Sequence, residues 1–359
     1  MTHTSGQRCS IVVLNTISKW KSLRPELSAM DRKPMLMKCL ESVTLAAKEA
    51  VSQHRVDVHV ISSRGEDGCE EAALSRFPAV HVHLVERGRF LFLYNDFLPR
   101  LDSERVILLN NDVVVDEKFI SPLLKHFERE KTFAVSPRIM RWKNGAPDGL
   151  EVGYREAVFR RGMISWKTLN RDDASLNLYA HGGASAYDRK RLLELGGFDE
   201  LYLPYFYEDV DVSYRAWKRG WRCVTEPASV VYHLGSETIR RGTSRDANEC
   251  FRRKNQLLFH WKNLSDGRFL LTHALSVAAR LSLSPVRRDF LFPRALWMAL
   301  GQLPDLVKKR RAEQSQVHAH TDAEVVSMLS GGCRLERTLA QERERHVGIR
   351  TEGLSAGSV

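Results

Sequence analysis

The stretch Arg105–Asp112 reads RVILLNND and decides the fold class of this chain. Between Arg105 and Asn110 the run is apolar, which is typical of a central parallel strand covered on both faces. The run ends in two amides and a carboxylate, Asn110, Asn111 and Asp112. In sheets of this kind ligands bind at the carboxyl ends of the strands, so we expect a functional site directly after the apolar run.

Upstream of this stretch, short β-rich runs alternate with segments of helical spacing. Pro34–Val51 carries apolar residues at helical spacing, whereas Val56–Ser62 alternates as a strand does. This repetition predicts an α/β fold with a mostly parallel central sheet, a Rossmann-like arrangement with right-handed crossovers. The predicted strands are Cys9–Asn15, Val56–Ser62, Ala79–Val85 and Arg105–Asn110, and the predicted helices are Pro34–Val51, Glu70–Arg76 and Phe90–Leu101.

Downstream, the pattern is less regular. Glu208–Arg219 still indicates a helix, because acids occupy its first turn and bases its last, in the order that the helix dipole favours. From Asp266 to Glu313 the pattern is helical and basic, with nine Lys and Arg against four Asp and Glu. Further strands are predicted at Phe133–Ile139, Ala157–Phe159, Trp221–Val224 and Ser229–Tyr232, and further helices at Arg189–Leu195 and Asp322–Leu329.

Composition excludes several classes of protein. The chain has 359 residues, of which 43% are apolar and 28% charged, and this excludes a disordered or collagen-like chain. At about 150 residues per domain, the length predicts two domains, or one large domain with an appendage. The net charge of +11 suits a phosphate-bearing partner or an anionic membrane surface, without deciding between them.

Cysteine usage and hydropathy bear on the cellular location. The six cysteines have no CxxC spacing, so they predict neither a disulfide scaffold nor a zinc site, and they favour a reducing compartment. The first residues have no secretory signal pattern. No apolar stretch reaches the ~18 residues that a membrane-spanning helix needs. We therefore expect a cytoplasmic protein that does not span a membrane.

The polar residues after the central run are oxygen ligands or hydrogen-bonding groups. Asn110-Asn111-Asp112 suits a hard divalent cation that bridges to phosphate oxygens. The same three residues are also good turn formers. Taken alone, this stretch leaves a metal site and a simple turn equally open.

Two further signals involve acids and a histidine. Tyr205–Asp211 reads YFYEDVD, which puts Glu208, Asp209 and Asp211 at the start of a helix behind three aromatic residues. One of these acids could be a general base in a cleft, although acids at this position commonly cap the helix. His233 ends an apolar strand and could bind a metal, although single histidines are more often structural.

In order and context, these motifs resemble the family 2 glycosyltransferases of the nucleotide-diphospho-sugar transferase (GT-A) fold, particularly the rhamnosyltransferase-like members. The resemblance covers Ser10 to Leu264. Its most specific part is Gly196–Glu200 (GGFDE) followed within a dozen residues by Glu208–Asp211 (EDVD). Further matches are Leu108–Val113, Gly182–Ala184, Tyr207–Arg215, Gly220-Trp221, His233 with Gly235 and Ser236, and Arg253–Asn255.

The resemblance implies roles for the acids and the histidine. Asp112 matches the final Asp of the family's metal-binding motif, while Asn110 replaces its first Asp. Asp112 and His233 would then hold Mg²⁺ or Mn²⁺ against the donor diphosphate. Asp209 matches the catalytic base, and Glu208 would orient the acceptor or the base.

The resemblance also implies a site for a nucleotide-sugar donor. Gly183 matches the place where the family's backbone borders the acceptor and the donor sugar. After the second strand, Ser62 replaces the usual Asp, and after the third, Glu86-Arg87-Gly88 replaces Asn-x-Gly. The predicted donor-binding residues are Leu14, Asn15, Ser62, Gly88, Asn95, Asn110, Asn111 and Gly183.

The basic C-terminal region has two interpretations. Aromatic residues such as Phe290 and Trp297 beside Arg287, Arg288 and Arg294 could lie on an anionic membrane surface, near a lipid-linked acceptor. Alternatively, these helices pack on the catalytic domain and their basic face is merely solvated. Of the two interpretations, the alternation of basic and aromatic residues favours the membrane surface. We predict a GT-A catalytic domain at 8–264, a basic amphipathic helical extension at 265–313 and a polar, partly disordered tail at 314–359.

Two classes of function follow. We expect an inverting, metal-dependent hexosyl- or deoxyhexosyltransferase that uses a nucleotide-sugar donor and a glycan or lipid-linked acceptor. We expect it to act in cell-surface polysaccharide synthesis and to lie peripherally on the inner face of the membrane. The alternative is a binding or scaffold module of the same fold, with a donor site eroded at Ser62 and Glu86. No nucleic-acid partner is expected, because no recognition motif accompanies the positive charge.

Overall fold

The central apolar run forms the strand β4 (Arg105–Asn110), and Val106–Leu109 within it have no exposed surface. The computed structural model describes residues 6–15, 33–63, 69–85, 90–143, 146–234, 244–331 and 335. The other strands are β1 (Arg8–Asn15), β2 (Arg55–Ser63), β3 (Val80–Val85), β5 (Val113–Val115), β6 (Thr132–Lys143), β7 (Ala146–Val152), β8 (Tyr154–Arg160), β9 (Met163–Leu169), β10 (Ser175–Leu176), β11 (Ala184–Asp188) and β12 (Arg222–His233).

Helices cover the sheet and extend beyond it at the C-terminal end. In chain order they are α1 (Lys33–Ala50), α2 (Cys69–Arg76), α3 (Leu93–Phe97), α4 (Ile120–Lys125), α5 (Arg189–Glu194), α6 (Glu208–Lys218), α7 (Arg245–Asn263), α8 (Gly267–Leu283), α9 (Leu291–Leu300), α10 (Leu303–Gln314) and α11 (Asp322–Met328). The bounds of α1, α2, α5, α6 and α11 agree with the sequence prediction to within one residue, and α8 to α10 occupy the region that was predicted to be helical. No bounds were predicted for α4 and α7. The prediction and the structure differ at Phe90–Leu101. There the structure has α3 between two 3₁₀ turns, so the prediction of one continuous helix is wrong.

Among the described residues, ten strands form one sheet in the order β3-β2-β1-β4-β11-β6-β12-β10, with β7 beside β6 and β5 beside β12. Strands β3, β2, β1 and β4 run parallel, and so do β6 and β12. Strand β11 lies antiparallel between β4 and β6. The predicted α/β class with a mostly parallel central part is confirmed, and β8 and β9 pair separately as a hairpin.

Strand β12 brings the predicted histidine to the central strand's end. The two segments that were predicted as separate strands are one strand with a register shift between Glu226 and Val230. Its last residues pair antiparallel with β5, so that His233 lies opposite Val113. The N–H of Leu234 also donates to the carbonyl oxygen of Asp112 at 2.9 Å. This pairing places His233 beside Asp112 across 121 residues of sequence.

A buried ionic network holds helix α6 in place. Asp211 is fully buried, and its carboxylate accepts hydrogen bonds from Arg215 at 2.8 Å and from Lys262 at 2.9 Å. Lys262 lies on α7 and also donates to Asp199 at 2.6 Å. Asp199 in turn accepts from Lys309 of α10. The C-terminal helices are therefore tied by charge to the helix that carries the predicted base.

Part of the predicted tail packs on the domain instead of standing apart from it. Asp322, at the start of α11, is fully buried and accepts hydrogen bonds from Lys218 at 2.9 Å and from Tyr214 at 2.6 Å. Val325 and Leu329 of the same segment are also buried. Thus the segment up to residue 331 packs on the domain, while 332–334 and 336–359 lie outside the described residues.

None of the helices in the described part of the chain combines the length and the apolar character that crossing a membrane requires.

Candidate active site

The polar residues at the carboxyl ends of three parallel strands meet in one hydrogen-bonded chain. Asn15 ends β1, Ser62 lies near the end of β2 and Asn111 follows β4. The side-chain amide of Asn15 donates to Ser62 Oγ at 3.1 Å, and the amide of Asn111 donates to Asn15 Oδ1 at 2.6 Å. Three residues predicted to bind the donor nucleotide therefore lie together, where an open α/β sheet binds its ligands.

An acidic pair encloses the ring of His233. Its Nε2 lies 3.3 Å from Asp112 Oδ2, and its Nδ1 lies 3.0 Å from Glu151 Oε2. Although burial disfavours a charged imidazole, the hydrogen bonds to Asp112 and Glu151 raise the pKa of His233 to about 10. The place between these two carboxylates therefore favours positive charge.

The donor set at Asp112 and His233 fits a divalent cation. Asp112 is 7% exposed, and within the described part of the chain its Oδ1 has no hydrogen-bond partner. Carboxylate oxygen and imidazole nitrogen are both ligands of Mn²⁺, and oxygen is the ligand that Mg²⁺ prefers. The described residues contain no group of three or more such side chains arranged around one point. A cation here would need further ligands, which the oxygens of a diphosphate can supply.

Helix α6 presents its first acids to a cleft of about 250 Å³. Asp209 is half-buried, and its Oδ2 accepts a hydrogen bond from the N–H of Gly182 at 3.1 Å. Its Oδ1 accepts from the N–H of Val210 at 2.8 Å. Other residues that line the cleft are Leu91, Asn110, Arg155, Trp166, Tyr179, His181, Gly183, Tyr205, Phe206, Tyr207, Glu208 and Arg252.

Burial changes the acidity of both carboxyl groups at the start of α6. It raises the pKa of Asp209, against the hydrogen bond from Gly182. Burial, together with the neighbouring charge of Asp209, raises the pKa of Glu208 to about 8. Among the described residues, Glu208 Oε2 is buried without a hydrogen-bond partner. The cleft therefore contains two carboxyl groups of raised pKa, of which Glu208 keeps its proton near neutral pH.

The backbone before α6 adopts an uncommon conformation. Phe206 and Tyr207 both have φ of 77°, in the left-handed region that non-glycine residues rarely occupy. The side-chain amide of Asn255 on α7 donates to the carbonyl oxygens of Tyr205 at 2.8 Å and Phe206 at 2.9 Å. This contact gives a structural reason for the Arg-Lys-Asn stretch that the sequence analysis matched to the family.

A glycine loop borders the same cleft. The N–H of Asn110 donates to the carbonyl oxygen of Gly183 at 2.9 Å, and the N–H of Gly183 donates to His181 Nδ1 at 3.1 Å. A Cβ at Gly183 would lie 3.0 Å from Asn110 Nδ2 and 3.1 Å from His181 Cε1. A larger residue at Gly183 would therefore push against the end of β4. Asn110 joins this loop to the segment that carries Asp112.

Two of the predicted donor-binding residues, Asn95 and Leu14, do not join the cluster through their side chains. The Asn95 amide donates to the carbonyl oxygen of Phe198 at 2.7 Å and accepts from its N–H at 2.9 Å, so it has a structural partner. Leu14 is 2% exposed within β1 and can offer a ligand little more than its backbone. Gly88 lies outside the described residues.

Three residues of this site were not predicted from the sequence. Glu151 and Arg155 lie on β7 and β8, in a region where the sequence predicted only a short strand. His181 precedes the glycine pair, and burial lowers its pKa to about 3, so its ring is neutral. Of these, only His181 had a signal in the sequence, because it stands next to the Gly-Gly-Ala motif.

Comparison with known proteins identifies the family and the fold of the chain. The sequence model of a family described as "Glycosyltransferase like family 2" matches residues 28–255, more than half of the chain. The crystal structure of GalNAc-T7 with UDP, GalNAc and Mn²⁺ is similar at a TM-score of 0.54 and 17% identity, covering 72% of this chain and 48% of that chain. This likeness concerns the fold, and this chain spans about half of that protein. The predicted GT-A fold is confirmed.

A second solved structure is the mannosyltransferase PcManGT from Pyrobaculum calidifontis in complex with GDP-Man and Mn²⁺. It aligns at a TM-score of 0.47 with 18% identity, over 86% of this chain and 83% of that chain.

Replacing Glu208 with glutamine is expected to raise the melting temperature, by an amount that grows from pH 5 to pH 8. Between its ordinary pKa of about 4.5 and the raised value of about 8, the folded chain keeps a proton that the unfolded chain releases. Wild-type stability therefore falls as the pH rises through this window, and glutamine removes this loss. Thermal melts at several pH values, with the exposed Glu117→Gln as control, check this. A gain that stays constant with pH would contradict it.

Proposed function

The chain belongs to the family described as glycosyltransferase like family 2, and from this premise we propose that it transfers a sugar from a nucleotide-sugar donor to a hydroxyl group of a glycan or lipid-linked acceptor. We propose that the transfer inverts the anomeric centre. The transferred unit would be a hexosyl or deoxyhexosyl group, as in the rhamnosyltransferase-like members that the sequence resembles.

This proposal rests on the positions of the Asp209 carboxylate and of the Asp112–His233 pair. The glycine loop at residues 182–183 contacts Asp209 and also Asn110, which leads to Asp112. The cleft contains the half-buried carboxylate of Asp209, bordered by Gly182 and Gly183. Asn110 lines the same cleft and stands two residues before Asp112, whose carboxylate contacts the ring of His233. A displacement with inversion needs a base on one face of the sugar and a stabilised leaving group on the other.

Asp209 has the properties of a general base for an acceptor hydroxyl. A hydroxyl is a weak nucleophile, so its proton must be removed as the oxygen attacks. Burial raises the pKa of the Asp209 carboxyl, which makes the carboxylate a better proton acceptor than an exposed one. The N–H groups of Gly182 and Val210 fix the orientation of the carboxylate. Protonated Glu208, beside it, can donate a hydrogen bond to the acceptor.

Asp112 and His233 would hold the divalent cation, Mg²⁺ or Mn²⁺. When bound, such an ion stabilises the negative charge that gathers on a departing nucleoside diphosphate. Glu151 contacts Nδ1 of His233 at 3.0 Å, and a carboxylate at this position fixes the tautomer and the direction of a histidine ligand. The adjacent chain of Asn15, Ser62 and Asn111 supplies polar groups for the nucleoside, with Ser62 in the place of the family's Asp.

Asp209→Asn tests the proposal. It is expected to lower turnover about a hundredfold to ten-thousandfold, because general base catalysis contributes that much, while the bound nucleotide still raises the melting temperature. Release of nucleoside diphosphate from UDP-, GDP- and dTDP-sugars, with a panel of glycosides as acceptors, measures turnover. Asp246→Asn is the matched control, since Asp246 is an exposed acid in the first turn of α7. An equally active Asp209→Asn enzyme would contradict the base assignment and favour the binding-module alternative.

The C-terminal helices support a second part of the proposal, attachment to an anionic membrane surface on the cytoplasmic side during polysaccharide synthesis. Only His273 is buried among the residues of α8. Val286, Phe290 and Trp297 are 81%, 71% and 78% exposed, and together we call them the C-terminal apolar surface. Exposed Arg287 lies within the same segment. Apolar side chains among arginines are typical of helices that bind an anionic membrane surface.

Other side chains of this region pack on the domain, as the second interpretation of the sequence expected. Phe269 stacks on Phe159 with ring centroids 3.8 Å apart. Arg280 lies over the ring of Phe292, and Lys309 pairs with Asp199. The region is therefore anchored to the domain through one side, while the C-terminal apolar surface stays exposed.

The double variant Phe290→Ser with Trp297→Ser is expected to weaken binding to phosphatidylglycerol-containing vesicles about tenfold or more, because each large side chain contributes ~1.5–3 kcal/mol when buried. Cosedimentation with vesicles, with and without the anionic lipid, measures binding. Val317→Ser is the control, since Val317 is 90% exposed and lies outside the C-terminal apolar surface. Unchanged binding by the double variant would overturn the membrane proposal.

A further inference from the structure

The cleft beside Asp209 contains a buried guanidinium that the proposed reaction does not use. Arg155 of β8 is 5% exposed and lines the cleft together with Asp209 and Arg252. Within the described part of the chain, its Nε and Nη1 are buried and have no hydrogen-bond partner. A buried cation without an acceptor is energetically costly, so this side chain needs a partner that the described residues do not supply.

The surroundings fix the position of Arg155 without neutralising it. Its guanidinium carbon lies 4.2 Å from the centroid of the Tyr179 ring, a contact that orients the plane but accepts no hydrogen bond. The backbone of Arg155 is held as well: its main-chain N–H donates to Asn177 Oδ1 at 2.9 Å, and its carbonyl oxygen accepts from the N–H of Leu178 at 3.1 Å. The guanidinium is therefore held ready for a planar anionic partner.

Asp209 is not that partner. Its two oxygens already accept hydrogen bonds from the N–H groups of Gly182 and Val210, and no hydrogen bond joins it to Arg155 among the described residues. A second guanidinium, that of Arg252, lies at the same cleft. It is 46% exposed and pairs with Glu249 at 2.7 Å. Of the two guanidiniums, only that of Arg252 therefore has a hydrogen-bonded acid among the described residues.

We propose that Arg155, assisted by Arg252, binds an anionic group of the acceptor, a carboxylate or a phosphate, next to the hydroxyl that Asp209 deprotonates. This inference rests on the proposed function and names its acceptor class as acidic or phosphorylated glycans. The planar fork of arginine matches both groups bidentately. Asp112 and His233 are not among the residues that line this cleft, so the proposed anion subsite is separate from the proposed cation site.

A binding experiment separates this subsite from the diphosphate site. The full chain is saturated with Mg²⁺ and the nucleoside diphosphate that stabilises it most, and its melting temperature is then followed as inorganic phosphate is added. Phosphate is expected to raise the melting temperature further in the wild type. Arg155→Met is expected to weaken this binding about tenfold to a hundredfold, the contribution of a charged hydrogen bond. Arg160→Met, an exposed arginine of the same strand, should behave as the wild type.

The outcomes are distinct. A wild-type chain without a phosphate response, or an Arg155→Met chain with an unchanged one, would overturn the subsite. Loss of the nucleotide response in Arg155→Met would also overturn it, because Arg155 would then contact the donor. Absence of any nucleotide response in the wild type would instead count against the proposed function, and the phosphate titration without nucleotide would still test the subsite.

Turnover supplies a second readout that a merely structural arginine would not change. With methyl glucuronide and methyl glucoside as a matched acceptor pair, the wild type is expected to release nucleoside diphosphate faster with the glucuronide. Arg155→Met should remove this preference, and Arg155→Lys should restore part of it because the charge is kept. Equal rates with both acceptors in the wild type would contradict the inference.

Discussion

The site depends on the ion pairs that the buried carboxylate of Asp211 forms with Arg215 and Lys262. Although burial disfavours its charge, Lys262 and Arg215 hold the pKa of Asp211 well below its usual range. Asp211 stands two residues after Asp209, on the other side of the same helical turn, so whatever fixes one fixes the direction of the other. Removing one partner of such a network leaves a buried charge uncompensated. The site thus requires α7 as well as the sheet.

Much of the site could be predicted because its residues follow strands or begin a helix. The apolar run at Arg105–Asn110 predicted the central strand, and the polar residues after it lie where a parallel sheet binds ligands. The proximity of Asp112 and His233 depended on the antiparallel pairing of β5 with β12. The three valines of β5 are too short a run to predict a strand by periodicity, so that proximity came from the family resemblance.

The rest could not be read from the sequence, for physical reasons. Strand β11 contributes the middle of the sheet, yet ASAYD is made of small and polar residues without alternation. The residues Glu151 and Arg155 belong to strands off or at the edge of the main sheet, and only the fold brings Glu151 to His233 and Arg155 to the cleft. A charged residue in a strand of mixed polarity is ordinarily exposed, so the sequence pattern does not predict that Arg155 is buried.

The proposed metal-dependent nucleotide site is tested most directly by the melting temperature of the full chain. It is measured with UDP, GDP, dTDP or CMP, each with Mn²⁺ or EDTA, for the wild type and for Asp112→Asn. A ligand at ~100 times its dissociation constant stabilises the folded state by ~2.7 kcal/mol. We predict that one nucleotide stabilises the wild type only with Mn²⁺, and that Asp112→Asn loses this response. No response to any nucleotide, or an equal response in EDTA, would contradict the account.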